Sequence, residues 1–312
     1  MNDSTDLRIH TSQAQLMALK SYAAKLNYHP ALKHTSLMAG RTASAFRGRG
    51  LNFEELRHYH IGDDVRNIDW KVTMRTGKPH VRSYTEEKDR NVIIVVDQRS
   101  GMFFGSLELM KSVVAAELAA LYGWKVLNHG DRVRLIMLTP DTLWIGQPQR
   151  QQSGYAQQLA QLVAHNQALN VESRDKPEVS FTHMVSQLER MKIRQSTIVI
   201  ISDWHDCDEN QLDQLKQMQR RNDVIAIRVV DPMEQTIPQS MAQTPWVVGD
   251  GQFQTNLDMS SKIDKVNQRL EQWQSQSTAI LNNLMAIKRL PYLEVNTLGN
   301  HISDFTAQFG GR

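Results

Sequence analysis

The chain has 312 residues, 36 Lys plus Arg against 33 Asp plus Glu, a formal charge of +3 and 40% apolar residues. That length allows a sizeable buried core, and so small a positive charge argues against nucleic acid as a main partner. One cysteine, Cys207, excludes an intramolecular disulfide framework and any multi-cysteine zinc cluster.

The opening stretch "MNDSTDLRIH" is polar and acidic where a secretory signal needs a basic start and an apolar core. A cytoplasmic protein with no direct membrane insertion is therefore expected. Residues 12 to 26 place Leu16, Leu19, Ala23 and Leu26 on one helical face, and Pro30 closes the segment. The stretch "KHTSLMAGRTASAFRGRG" follows, with Lys33, Arg41, Arg47 and Arg49 and no acid. It reads as a mobile, glycine-punctuated loop, and with Phe46 as its lone aromatic it is a poor platform for nucleic acid.

"LNFEELRHYHIGDDVRNIDWKVTMRTGKPHVRSY" predicts a short strand and a turn at Gly62, Asp63 and Asp64. A short helix capped by Asp69 and stopped at Gly77 comes next, then a strand from His80 to Tyr84. Two readings apply to its acidic centre. In the structural one, Arg66 answers a nearby carboxylate and Trp70 anchors the segment on the sheet. In the other, Gly62, Asp63, Asp64, Arg66, Asp69 and Trp70 form a docking segment, because Trp and Arg dominate interface energetics. The structural reading is favoured.

From Asn91 strands alternate with helices. "VIIVVD", "TIVIISD" and "DVIAIRVVD" are continuous β-branched runs, as strands buried on both faces require. "RVRLIML" predicts a further strand, and helices are predicted over 106 to 128, 154 to 165, 182 to 192 and 208 to 220. The longest apolar segment, Val113 to Leu127, carries Glu117 and Lys125, is too short to span a bilayer and reads as a buried amphipathic helix. A hairpin in "PWVVGDGQFQTNLD", a long helix over 261 to 286, the strand "YLEVNT" and a helix near 300 to 309 complete the chain. This order predicts a mostly parallel α/β sheet with helices on both faces.

Three of the apolar runs end in aspartate: Asp97, Asp203 and Asp231. In an open α/β sheet the carboxyl ends of the strands share one rim, where ligands bind. Each aspartate could equally cap the turn or helix that follows it. "SDWHDCD" gathers Asp203, His205, Asp206, Cys207 and Asp208, yet its span is too narrow for the four ligands zinc takes, so it reads as a capped loop. No phosphate loop and no nucleophile elbow is present in the sequence.

"VVDQRSGM", "FTHM" and "IISDW" resemble a von Willebrand factor A domain with its metal-ion-dependent adhesion site, in which an Asp-x-Ser-x-Ser loop, a Thr and a later Asp surround one divalent cation. "RGRGLNFEELRHYHIGDDVRNIDWKVTMRTGKPHVRSY" and "VVDPMEQTIPQS" resemble the domain-of-unknown-function 58 family, bacterial proteins similar to factor A domains and typically encoded beside MoxR-type AAA+ ATPases. The likeness runs from about Arg47 to the C-terminus. It implies a von Willebrand factor A-like, Rossmann-type domain over residues 90–312, with a hairpin near 245–257. Residues 1–89 would add a helix, the basic loop and a small, partly β elaboration that also uses the hairpin. It further implies a MoxR-type ATPase as partner, with membrane-anchored factor A proteins as further candidates.

By position Asp97, Thr182 and Asp203 match the ion ligands, but Arg99 and Gly101 stand where the two serines belong. Magnesium wants six oxygens, so a set of Asp97, Thr182, Asp203 and water is weak, and a guanidinium beside the ion repels it by several kcal/mol at an intermediate dielectric. The expectation is a degenerate site without a cofactor, in which Arg99 bridges Asp97 and Asp203 and a further Lys or Arg completes the charge balance. Bound magnesium, with Arg99 in solvent and Ser100 reaching the ion, is the rival; a plain polar turn is the third reading. The functional expectation is a non-catalytic adaptor acting with the ATPase on a client complex. The alternatives are a magnesium-dependent hydrolase or phosphotransfer protein using Asp97 and Asp203, and, less favoured, a nucleic-acid binder.

Overall fold

The structure is a computed structural model, and it describes residues 6–26, 43–44, 51–61, 63–86, 90–239, 246–249, 254–257, 263–286 and 293–309. In chain order the elements are α1 (Gln13–Lys25), β1 (Ala43–Ser44), β2 (Leu51–His58), α2 (Trp70–Thr76), β3 (His80–Glu86), β4 (Asn91–Asp97) and α3 (Lys111–Asn128). They continue with β5 (Arg132–Leu138), β6 (Leu143–Ile145), α4 (Gln152–Ala168), α5 (Phe181–Arg190), β7 (Ser196–Ser202), α6 (Glu209–Met218), β8 (Asp223–Val230) and α7 (Pro232–Gln235). The last are β9 (Trp246–Gly249), β10 (Gln254–Leu257), α8 (Ile263–Ala286), β11 (Leu293–Asn296) and α9 (His301–Phe309).

The large unit comprises residues 1–29 and 91–312. Its six-stranded sheet runs β11-β8-β7-β4-β5-β6, parallel except for the edge strand β6. The fold is mixed α/β with helices on both faces, a von Willebrand factor A-like, Rossmann-type arrangement. Strand β6 escapes sequence reading because three residues carry no period. Helix α3 begins at Lys111, later than the predicted 106, because Ser106 is held outside the helix by Asp231, to whose Oδ2 its backbone N–H donates at 2.8 Å.

α3 is buried from Lys111 through Leu127, as a helix apolar on nearly every side must be. It lies against β4, β5, β7 and β8 on one side and is covered by α1, α4 and α9 on the other. Each fully buried leucine or valine there contributes about 1.5–3 kcal/mol. Its charged residues all find partners. Lys111 meets two carboxylates, Glu117 accepts from Gln15 and pairs with His301, and Lys125 donates to the Leu26 carbonyl. Gly123 is required by the approach of α4: a Cβ there would lie 2.1 Å from the Tyr155 hydroxyl.

The expected grouping of residues 1–89 is corrected by α1. Its buried face of Leu16, Leu19, Ala23 and Leu26 packs on α3, so the first helix belongs to the α/β unit. The hairpin strands β9 and β10 pair with each other and also group with that unit. The basic stretch Lys33 to Arg49 lies outside the described residues except for Ala43 and Ser44.

The second unit, residues 30–90, holds the antiparallel sheet β1-β3-β2 and α2. Asp69 caps α2 by accepting from the backbone N–H groups of Lys71 and Val72, and Gly77 ends it at φ 70°, where a side chain would be strained. Its acids are answered by Arg57, on Asp63, and Arg82, on Asp69, not by Arg66, whose backbone N–H donates to Asp64. Gly62 lies outside the described residues. Trp70 is not an anchor on the sheet. It is 63% exposed, in the same unit as exposed Ile61, Val65 and Met74.

Candidate functional site: the carboxyl rim of the sheet

From β4 the chain passes to β5 and β6 on one side, then returns to build β7, β8 and β11 on the other. The crevice between the carboxyl ends of β4 and β7 is therefore the strand-order switch point, where α/β proteins place ligands. Val96 pairs with Ile201, so one step further Asp97 lies level with Ser202, whose hydroxyl donates to Asp97 Oδ2 at 2.7 Å. Strand alternation turns the next residue, Asp203, the other way.

Arg99 fills the space beside Asp97. Its Nε donates to Oδ1 at 3.0 Å and Nη2 to Oδ2 at 2.7 Å, and its backbone N–H donates to Oδ1 at 3.1 Å. The far side of the same guanidinium donates to Asp206, Nη1 to Oδ2 at 2.6 Å and Nη2 to Oδ1 at 2.9 Å. Arg99 thus bridges Asp97 to Asp206, which corrects the expected bridge to Asp203. The physical reason is the alternation just described: Asp203 faces a different neighbour.

That neighbour is Lys111, at the start of α3. Its ammonium donates to Asp203 Oδ2 at 2.9 Å and to Glu234 Oε1 at 2.6 Å. Glu234 is fixed in turn by the capping box of α7, where its Oε2 accepts from the Asp231 N–H at 3.1 Å. The second cation that charge balance demands is Lys111. Asp231, the third strand-end acid, is a cap and brace: it accepts from Ser106, Met233 and Thr297.

Burial works against charge on Arg99, but the Asp97 carboxylate and the hydrogen bonds to Asp206 and Asp97 outweigh it and raise its pKa above the ordinary arginine value. Burial likewise penalises the Lys111 ammonium, and Asp203 with Glu234 reverses the balance upward. For Asp203, burial favours the neutral acid, yet the Lys111 charge and hydrogen bond hold its pKa down at about 2. Asp206 is also lowered, burial being overcome by Arg99.

These residues do not fit a resident magnesium ion. Both oxygens of Asp97 are committed to Arg99 and Ser202, and a lysine ammonium occupies Asp203. Thr182, on the first turn of α5, accepts from Gln211 at 2.7 Å, and among the described residues no bond ties it to Asp97 or Asp203. Ser100 is spent on Asp175, with both its N–H and hydroxyl donating there. Gly101 does face the site: a Cβ on it would stand 3.8 Å from Asp203 Oδ2.

The sequence pattern described as "Protein of unknown function DUF58" matches residues 55–278, most of the chain and parts of both units. The chain belongs to the DUF58 family. It is also similar to uncharacterized proteins of Mycobacterium tuberculosis and Mycobacterium bovis, 30% identical over 192 residues, 61% of this chain. The chain spans 58% of the length of those relatives. Similar solved structures include the conserved hypothetical protein BatB from Bacteroides thetaiotaomicron, with 13% identity and a TM-score of 0.43 over 70% of this chain and 96% of that one. An aerotolerance-related membrane protein from Bacteroides fragilis shows 12% identity and a TM-score of 0.44 over 70% and 98%.

In this DUF58 chain, then, Asp97, Arg99, Gly101 and Asp203 converge on the rim and Thr182 does not join them. Sequence reading missed Lys111, Asp206, Ser202 and Glu234 as members. The signal for Lys111 was a cation placed just before the long, mostly apolar segment from Val113 to Leu127. Asp206 was read only as part of a capped loop, although it is Asp208 that caps α6.

Proposed function

We propose that the protein is a non-catalytic adaptor acting in the cytoplasm with a MoxR-type AAA+ ATPase, in the assembly, maturation or stress handling of a client complex. The observation that carries this reading is the double ion pair at the rim. A factor A site in which Arg99 and Lys111 neutralise the strand-end acids has the scaffold of an interaction module and none of the open ion coordination that metal-assisted hydrolysis needs. The exposed Trp70, Ile61, Val65 and Met74 support it, since large exposed apolar side chains in one small unit suit protein contact. Among the described residues no helix is long and apolar enough to cross a membrane.

A pull-down from native bacterial lysate, with and without ATP, tests the proposal on wild type, Arg99→Ser and Trp70→Ala. An AAA+ ATPase recovered with wild type and reduced with either variant supports it. Absence of any such ATPase under both nucleotide conditions removes its main support.

A further inference from the structure

We propose that the opposite end of the sheet carries a binding site for a small phosphate monoester, independent of the rim and of the adaptor reading. The amino ends of β4, β5 and β7 line a half-open cavity of about 220 Å³. That is below the roughly 300 Å³ at which pockets for drug-sized ligands begin, and equals about seven waters of liquid volume.

Its chemistry is one-sided. Arg132 and Arg134 stand two residues apart on β5 and so project from the same face, and Arg194 joins them from the chain entering β7. Pro148, Met191 and Ile193 supply apolar wall, and none of the lining residues is acidic. Arg134 is the decisive member. Its Nε is buried and meets no hydrogen-bond acceptor among the described residues. Partial burial alone depresses its pKa, the reverse of Arg99, whose acids overcome a larger penalty.

Arg134 is half-buried, with its Nε withdrawn from solvent and left without an acceptor, and an unpaired buried donor is costly. A ligand that brings the missing charge repays the cost. Converging arginine forks match phosphate oxygens in paired fashion, and several positive charges favour a dianion over a single carboxylate. The apolar wall adds room for a small hydrocarbon or aromatic body on the phosphate.

Titration calorimetry and thermal unfolding with inorganic phosphate, phenyl phosphate and benzoate test the site in wild type, Arg134→Met and Arg194→Met. Phenyl phosphate should bind wild type and raise its melting temperature, with phosphate and benzoate each at least about tenfold weaker. Arg134→Met should melt close to wild type without ligand and should lose the response to phenyl phosphate. Exposed Arg194→Met should fold as wild type does and bind about tenfold more weakly. Wild type indifferent to millimolar phenyl phosphate, or binding that both variants retain, would overturn the proposal.

Discussion

Arg99 and Asp206 lie 107 positions apart in the chain and are joined by two hydrogen bonds of 2.6 and 2.9 Å. Since Arg99 also holds Asp97, one guanidinium ties the loop after β4 to the loop after β7 across the switch point. Its removal strands Asp97, which is 1% exposed, without a counter-ion. Arg99→Ala should therefore cost about 3–5 kcal/mol in urea unfolding. Asp206→Asn should cost much less, because the Asp206 side chain is 36% exposed and solvent screens the pair. Equal costs would contradict this division of roles.

Divalent ions should leave the wild type unchanged. Isothermal titration with magnesium or manganese is expected to give no binding at micromolar concentration; a micromolar affinity abolished by Asp97→Ala would refute the arginine substitution. The triple variant Arg99→Ser, Gly101→Ser, Lys111→Met should gain a divalent-dependent rise in melting temperature. It restores both hydroxyls, frees both acids, and places the new side chain at 101 where a Cβ stands 3.8 Å from Asp203.

The Lys111–Asp203 pair predicts a specific acid dependence. The folded pKa of Asp203, about 2, lies below its ordinary 3.8, so the stabilisation is complete above about pH 4 and is lost as pH falls through about 2. Lys111→Met should be markedly less stable than wild type at neutral pH, and the gap should close across that window. A stability difference that is flat from pH 7 to pH 2, followed by circular dichroism, would show that the pair does not couple to Asp203.

Trp70→Ala should leave stability within about 0.5 kcal/mol of wild type, the behaviour of an exposed side chain with no packing role. A loss of 2 kcal/mol or more in thermal or urea unfolding (roughly the scale of a buried anchor) would return it to the structural role that the sequence suggests.

The parallel sheet was legible because β4, β7 and β8 are runs rich in β-branched residues that lead into an aspartate, and the cap at Asp69 and stop at Gly77 were legible because their chemistry is local. Partner choice at the rim was not. Whether Arg99 meets Asp203 or Asp206 depends on the register of β7 against β4, a long-range quantity with no local signature. Lys111 was hidden for the same reason: it reaches Asp203 from a helix 92 positions earlier. Trp70 was misjudged because large apolar residues usually anchor, and nothing in its neighbours tells that its face stays open.

A dissociable ion makes a binding rim answer to its supply; chelators empty it and calcium or magnesium refill it. The guanidinium of Arg99 is synthesised with the polypeptide, at fixed one-to-one stoichiometry, and keeps its proton throughout the physiological range. In the proposed adaptor, any switching of this rim must therefore act on the loop that carries Asp206 or on α7, which carries Glu234, since the occupant at the centre never leaves.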